Sequence, residues 1–183
     1  MYKAYTGVGS RSTPTNIRSI IFNLAAKLSE EGYILRSGGA DGADTYFQDG
    51  WLISEDRAPA EIYIPWKRFN GRYHGQWDAV VESDKLPEHI LEEAERIASS
   101  IHPAWDKCSR GAKALHTRNV FQVLGKELNN PSKFLVCWAE TDKQGKPKGG
   151  TRTAWVLAEK YDIPCFNLYK VEHRERIEKW LKE

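Results

Sequence analysis

The chain of 183 residues predicts an α/β fold: one doubly wound, mainly parallel sheet with helices on both faces. Three observations predict it. Short apolar runs alternate with segments of helical period along the whole chain, and such alternation needs crossover connections, which set strands parallel. Glycine-rich runs stand directly between strand candidates and the helices that follow them. No repeat, low-complexity tract or linker intervenes, so residues 1–183 read as a single domain of ordinary size.

Tyr2 to Thr6 is a short strand that runs into Gly7-Val8-Gly9-Ser10-Arg11, a turn-forming stretch. Thr15 opens a helix with Ile17, Ile20, Ile21, Leu24, Ala25 and Leu28 at helical spacing, closed by Gly32. Tyr33 to Leu35 is a second strand, followed at once by Ser37-Gly38-Gly39-Ala40-Asp41-Gly42-Ala43-Asp44 and a helix to about Ile53. Glu61 to Ile64 is a third, stopped by Pro65. From Trp66 to Pro87 no period holds, which predicts a long loop on the pocket side. Helical patterning returns over Glu88 to Ser99 and Arg110 to Leu128, interrupted by His102-Pro103-Ala104-Trp105. Phe134 to Trp138 is a buried strand, Thr151 to Tyr161 a helix, and Cys165 to Leu168 the last strand. Beyond Val171 a charged helix offers Ile177, Trp180 and Leu181 for docking.

Composition narrows the function classes. A net charge of +2 makes no case for a nucleic-acid or membrane surface. No apolar stretch reaches the roughly 18 residues of a spanning helix, and the expected location is the cytoplasm. Cys108, Cys137 and Cys165 show neither CxxC spacing nor an even count, which argues against a disulfide framework or a zinc site. No histidine–carboxylate cluster has ligand spacing either, so no metal is expected. His102 and His116 are the histidines best placed to matter, though each reads more readily as structural.

In a parallel sheet, ligands bind beyond the carboxyl ends of the strands. Glycines fall there three times: Gly7-Val8-Gly9-Ser10, Ser37-Gly38-Gly39-Ala40, and Lys148-Gly149-Gly150-Thr151-Arg152-Thr153. Glycine admits close approach of an anion, and a helix amino end directly after it supplies free N–H groups. Together they predict a phosphate site. Neither the GxxxxGK[ST] loop nor the GxGxxG dinucleotide spacing occurs. No cofactor is required by this reading, and no motif assigns a magnesium ion.

These runs resemble the SLOG superfamily, the Rossmann-like domains that join DNA-processing protein A and the "lonely guy" cytokinin-activating enzymes. The second loop is similar to its Ser/His-Gly-Gly-Ala-x-Gly-Ala-Asp run, and Gly149-Gly150-Thr151 with Thr153-Ala154 to its second glycine motif. Arg118-Asn119 is similar to its Arg-Asn or Arg-Lys pair, and Gly7-Val8-Gly9-Ser10-Arg11 fits as well. The likeness runs from residue 3 to about 168 and is nearest to small stand-alone bacterial and phage members.

The resemblance implies binding of a nucleotide or nucleotide-derived phosphorylated ligand. In the lonely-guy branch it implies hydrolysis of the N-glycosidic bond of a nucleoside monophosphate, with an arginine and a glutamate at the sugar. Arg118 matches that arginine; Asn119 replaces the lysine, and Val156 stands where the glutamate would be. Asp44 and Asp41 are the substitute carboxylates, gripping ribose hydroxyls or steadying an oxocarbenium-like centre. Gly9, Ser10, Arg11, Asn119 and the second and third loops are expected at the phosphate. Trp66, Arg68 and Arg72, from the aromatic and basic stretch after Pro65, are expected to touch base or sugar. The alternatives are a non-catalytic sensor or sequestering protein, and a single-stranded DNA accessory, the latter disfavoured by near-neutral charge. The Arg110 to Leu128 helix could serve a homodimer, but a core helix would carry the same stripe.

Overall fold

The computed structural model describes residues 3–183. Six parallel strands form one sheet in the order β4-β3-β2-β1-β5-β6: β1 (Ala4–Gly9), β2 (Ile34–Ser37), β3 (Ala60–Ile64), β4 (Val80–Glu82), β5 (Leu135–Trp138) and β6 (Cys165–Asn167). Six α-helices accompany it: α1 (Thr15–Glu30), α2 (Ala43–Ile53), α3 (Glu88–Ile101), α4 (Arg110–Leu124), α5 (Thr151–Lys160) and α6 (Val171–Lys182).

Helices cover both faces, as the alternation predicts. On one face α1, α2 and α6 close over Tyr5, Leu35, Phe47, Trp51, Ile62 and Val136. On the other, α3, α4 and α5 close over Val8, Tyr63, Phe121, Leu135 and Cys137. The inner strands are buried on both sides, as a parallel sheet between two helical layers requires, with the polar side chains of Thr6, Arg36 and Ser37 enclosed among apolar ones. The second half of α4, from Thr117 to Leu124, is entirely buried. Its apolar stripe is therefore core, the option that sequence alone leaves open against a dimer contact.

Two expectations change. β1 continues through Gly7-Val8-Gly9, which pair in register with Val136, Cys137 and Trp138 of β5. Gly7 is needed there because a β-carbon would press within 2.8 Å of the Phe47 ring. The stretch from Trp66 to Pro87 also holds an edge strand: β4 pairs Val80, Val81 and Glu82 with Ile62, Tyr63 and Ile64. Three residues are too few to display an alternation, so a sequence pattern cannot reveal it. Among the described residues no helix is long and apolar enough to cross a membrane.

The sheet order reverses between β1 and β5, since β2, β3 and β4 build away on one side and β6 on the other. Loops leaving adjacent strands there turn to opposite faces and open a crevice. The first and third glycine runs lie at its two lips.

Candidate functional site

A cavity of about 440 Å³ occupies this crevice, bounded by the end of β1, the amino ends of α2 and α5, and one side of α4. From the predicted set it gathers Gly9, Ser10, Arg11, Ala40, Asp44, Arg118, Asn119, Gly149, Gly150 and Thr151. Segments as far apart in the chain as Gly9 and Thr151 thus meet in one pocket.

The first and second loops lock together. Ser10 accepts hydrogen bonds on its carbonyl from the backbone N–H groups of Thr13 and Ala43, both at 3.2 Å. Gly42 sits at φ 74°, left-handed backbone that favours glycine, and a β-carbon there would run into the Ser10 and Arg11 carbonyls. Asp44 follows in the first turn of α2, and its carboxylate accepts from the Ala40 N–H at 3.3 Å. It is nearly enclosed, and burial raises its pKa from 3.8 to about 6, while Arg118, Arg72 and backbone N–H groups of Ala40 and Gly9 pull it back down.

Arg118 is 5% exposed. It donates through one terminal nitrogen to the Gly38 carbonyl and, at 3.2 Å, to the Tyr63 carbonyl, while its Nε has no partner. Phe69 lies against the guanidinium, 5.7 Å from ring centre to carbon. Burial lowers its pKa to about 10, with Asp44 opposing that, so it stays charged at neutral pH. A β-carbon at Gly38 would overlap Arg118 and Gln122, so this glycine serves to admit the arginine.

α4 presents Ala112, Leu115, His116, Asn119 and Gln122 to the cavity, one face at helical spacing. Asn119 donates to the Gly150 carbonyl at 2.9 Å and fixes the third loop. His116 shares a 2.8 Å hydrogen bond through Nδ1 with Thr153 Oγ1. Burial, then His102 and Arg118, lowers its pKa to about 4, so the ring is neutral at physiological pH. Gly149, at φ 66°, has nothing packed where a β-carbon would be, and Gly150 has only Asn119 at 3.9 Å. The amino end of α5 is therefore open to the cavity, with Lys148 beside it.

Several predicted residues stand elsewhere. Ser37, Gly38 and Gly39 do not line the cavity, because the guanidinium groups of Arg118 and Arg72 cover the two glycines. Arg72 is buried against Gly39, donating to Gln48 at 2.7 Å and to Thr45 at 3.2 Å, so it braces the second loop instead of facing the cavity. Arg68 is exposed, and Trp66, 38% exposed, packs edge-on against Phe69; neither lines the cavity. Asp41 is exposed and accepts from Asn70 at 3.0 Å. Arg152 pairs with Asp142 at 2.6 Å, and Thr153 reaches the site only through His116. Leu115 and Gln122 carry no motif and complete the lining with Val8, Ala112 and His116, while Lys148 and Ala154 belong to the third glycine run. The signal that finds the first two is the helical offset of three and four residues from Arg118-Asn119.

No protein-family model matches the chain, and no curated protein sequence does. Solved structures do. DNA processing protein A from Helicobacter pylori, described for its single-stranded DNA binding mode, matches 99% of this chain and 80% of that one, at 18% identity and a TM-score of 0.56. The molybdenum cofactor carrier protein from Chlamydomonas reinhardtii matches 97% and 84%, at 16% identity and a TM-score of 0.52. The molybdenum cofactor binding protein from Rippkaea orientalis matches 100% and 86%, at 11% identity and a TM-score of 0.51. At these identities the likeness is one of fold: an α/β, Rossmann-like parallel sheet shared with these proteins over nearly the whole chain.

Proposed function

We propose that the chain binds a phosphorylated, nucleotide-derived small molecule in this cavity and holds it without cleaving it. One observation carries the reading: the amino ends of α2 and α5 and the buried charge of Arg118 converge on a single 440 Å³ space. Free N–H groups and a partial positive charge at a helix amino end favour an anion, and a pocket of this volume suits a small ligand. The phosphate sits at Gly149-Gly150-Thr151, where the backbone is bare and Lys148 and Arg11 stand at the rim. The rest of the ligand runs along Leu115 and Ala112 towards Asp44, whose carboxylate accepts a hydroxyl.

The lining argues for binding over hydrolysis. Asp44 is the one carboxylate on it, and Val156 lies outside it. Glycosidic cleavage commonly uses two carboxyl groups across the scissile bond. Arg118 is engaged with two backbone carbonyls and so holds the loops as well as the charge. Neighbours of this fold that are named for binding or carrying a molybdenum cofactor support a reading of binding without turnover.

The test is calorimetry and thermal shift with a panel of nucleoside mono- and diphosphates and molybdenum cofactor, with chromatography for released base. Saturable binding without base release is expected. Base release overturns the non-catalytic reading, and no binding by any member overturns the nucleotide-site reading. Exposed Trp66 and Tyr73 beside Lys67 and Arg68 support a second reading, single-stranded DNA stacked on the loop after β3. That reading requires oligonucleotide binding that weakens steeply with salt.

A further inference from the structure

We propose that His102, Cys108 and His116 form a zinc-binding site with three protein ligands, in the wall between the cavity and the cleft beside it. The sequence expectation of no metal rested on histidine–carboxylate spacing and on the lack of paired cysteines. Tertiary structure supplies a different set. His102 follows the end of α3, Cys108 ends the turn after it, and His116 is on α4. One donor atom from each lies within 4.8 Å of the other two.

The spacing is close to what a metal needs. Cys108 Sγ is 3.7 Å from His102 Nδ1 and 3.8 Å from Nε2, and the two imidazole rings are 4.4 Å apart. Sulfur and nitrogen donors around tetrahedral zinc stand about 3.5 Å apart, given bonds of about 2.3 and 2.0 Å. Small side-chain rotations therefore bring the three donors onto one ion with the backbone in place.

The surroundings hold the ligands in position. Pro103 ends α3 directly after His102, and the Trp105–Lys107 turn brings the chain back. Ser109 Oγ caps α4 by accepting from the Ala112 N–H at 3.2 Å, which sets the start of the helix carrying His116. Thr153 engages His116 Nδ1 at 2.8 Å and leaves Nε2 for the ion, the outer partner that metal-bound histidines usually have. Cys108 is a free thiol that loses its proton on binding.

A thiolate with two imidazoles selects zinc over magnesium or calcium, which take oxygen donors. Three protein ligands leave a fourth position open. His116 lines the cavity and Cys108 lines the adjoining cleft of about 460 Å³, so the ion would sit between the two spaces.

The experiment uses the full chain, stripped with a chelator and titrated with Zn²⁺ against a chromophoric competitor, then with Co²⁺ followed by absorbance. The expected result is one equivalent of Zn²⁺, and a thiolate-to-cobalt charge-transfer band in the near ultraviolet. Cys108→Ser and His102→Ala each weaken Zn²⁺ by about 100-fold or more and Cys108→Ser abolishes the band, whereas His89→Ala, at an exposed position of α3, changes neither. Circular dichroism and melting of the stripped variants, unchanged from the stripped parent, confirm that the fold persists. No stoichiometric uptake, uptake that survives both substitutions, or a cobalt complex without the thiolate band overturns the proposal.

Discussion

Replacing Asp44 by asparagine should make the protein more stable and a poorer binder. Burial raises the Asp44 pKa from 3.8 to about 6. At 1.36 kcal/mol per pKa unit, roughly 3 kcal/mol is withheld from the folded state once the group is ionised. The sign follows from proton linkage. Below pH 3.8 the carboxyl is protonated in both states and nothing is lost. Between that point and about 6 the unfolded chain has released the proton while the folded one retains it, so stability falls as pH rises. Above about 6 the loss is constant. Asparagine keeps the shape and the acceptor for the Ala40 N–H but never ionises. The difference between Asp44→Asn and the parent should be near zero in acid and reach about 3 kcal/mol at pH 8. For a chain of this size that is a rise in Tm of about 6–12 °C. Urea unfolding across pH 4–8, read by the fluorescence of the seven tryptophans, measures it. A difference that is independent of pH, or a variant less stable than the parent at pH 8, would refute the reasoning. Attraction to Arg118 would then outweigh burial. A carboxylate retained at that cost is what a binding site requires, so the same variant should lose affinity for the ligand.

Gly150→Asp places a carboxylate at the open end of α5, where backbone and space admit a side chain (φ −62°, nearest atom 3.9 Å). Stability should change by less than about 1 kcal/mol, while anion affinity falls about 100-fold, as for like charges about 6 Å apart at an effective dielectric near 20; calorimetry beside a melting curve checks both. Gly38→Ala should cost about 1–3 kcal/mol and abolish binding, because the methyl group displaces Arg118; denaturant unfolding and the same titration decide it. Arg36→Met should cost about 3 kcal/mol, since Arg36 is 2% exposed and its loss strips Glu61 and the Asn130 carbonyl of partners at 2.7 and 2.5 Å. An unchanged urea midpoint would contradict that assignment.

Much of the architecture was legible in short stretches of chain. Apolar positions from Ile17 to Leu28 recur with the turn of α1, and the run at Leu35 and the run from Leu135 to Trp138 are continuous because helices cover both sheet faces. Elements that lack a period of their own were hidden. β4 is three residues long, and Gly7-Val8-Gly9 reads as a turn although it is the second half of β1, where the ring of Phe47, forty residues later, leaves room only for glycine at position 7. The aromatic and basic stretch shows its composition but not its direction. Phe69 and Arg72 turn inward to brace the loop that holds Asp44, while Arg68 and Trp66 remain outside.

The sequence by itself determined the strand–helix alternation and the places where bare backbone meets a helix amino end, because period and glycine are local properties. It also put Arg118 and Asp44 in one candidate site, through a resemblance of motifs, and both line the same cavity. Only the tertiary structure decided what each glycine is for. Gly38 and Gly39 make room for side chains of arginine, and Gly149 and Gly150 leave the amino end of α5 bare at the cavity. The physical reason is that a residue's role here is set by what lies within 4 Å of it, and those neighbours come from parts of the chain that no local pattern connects. The meeting of His102, Cys108 and His116 has the same origin: a helix end, a turn and the next helix supply one donor each.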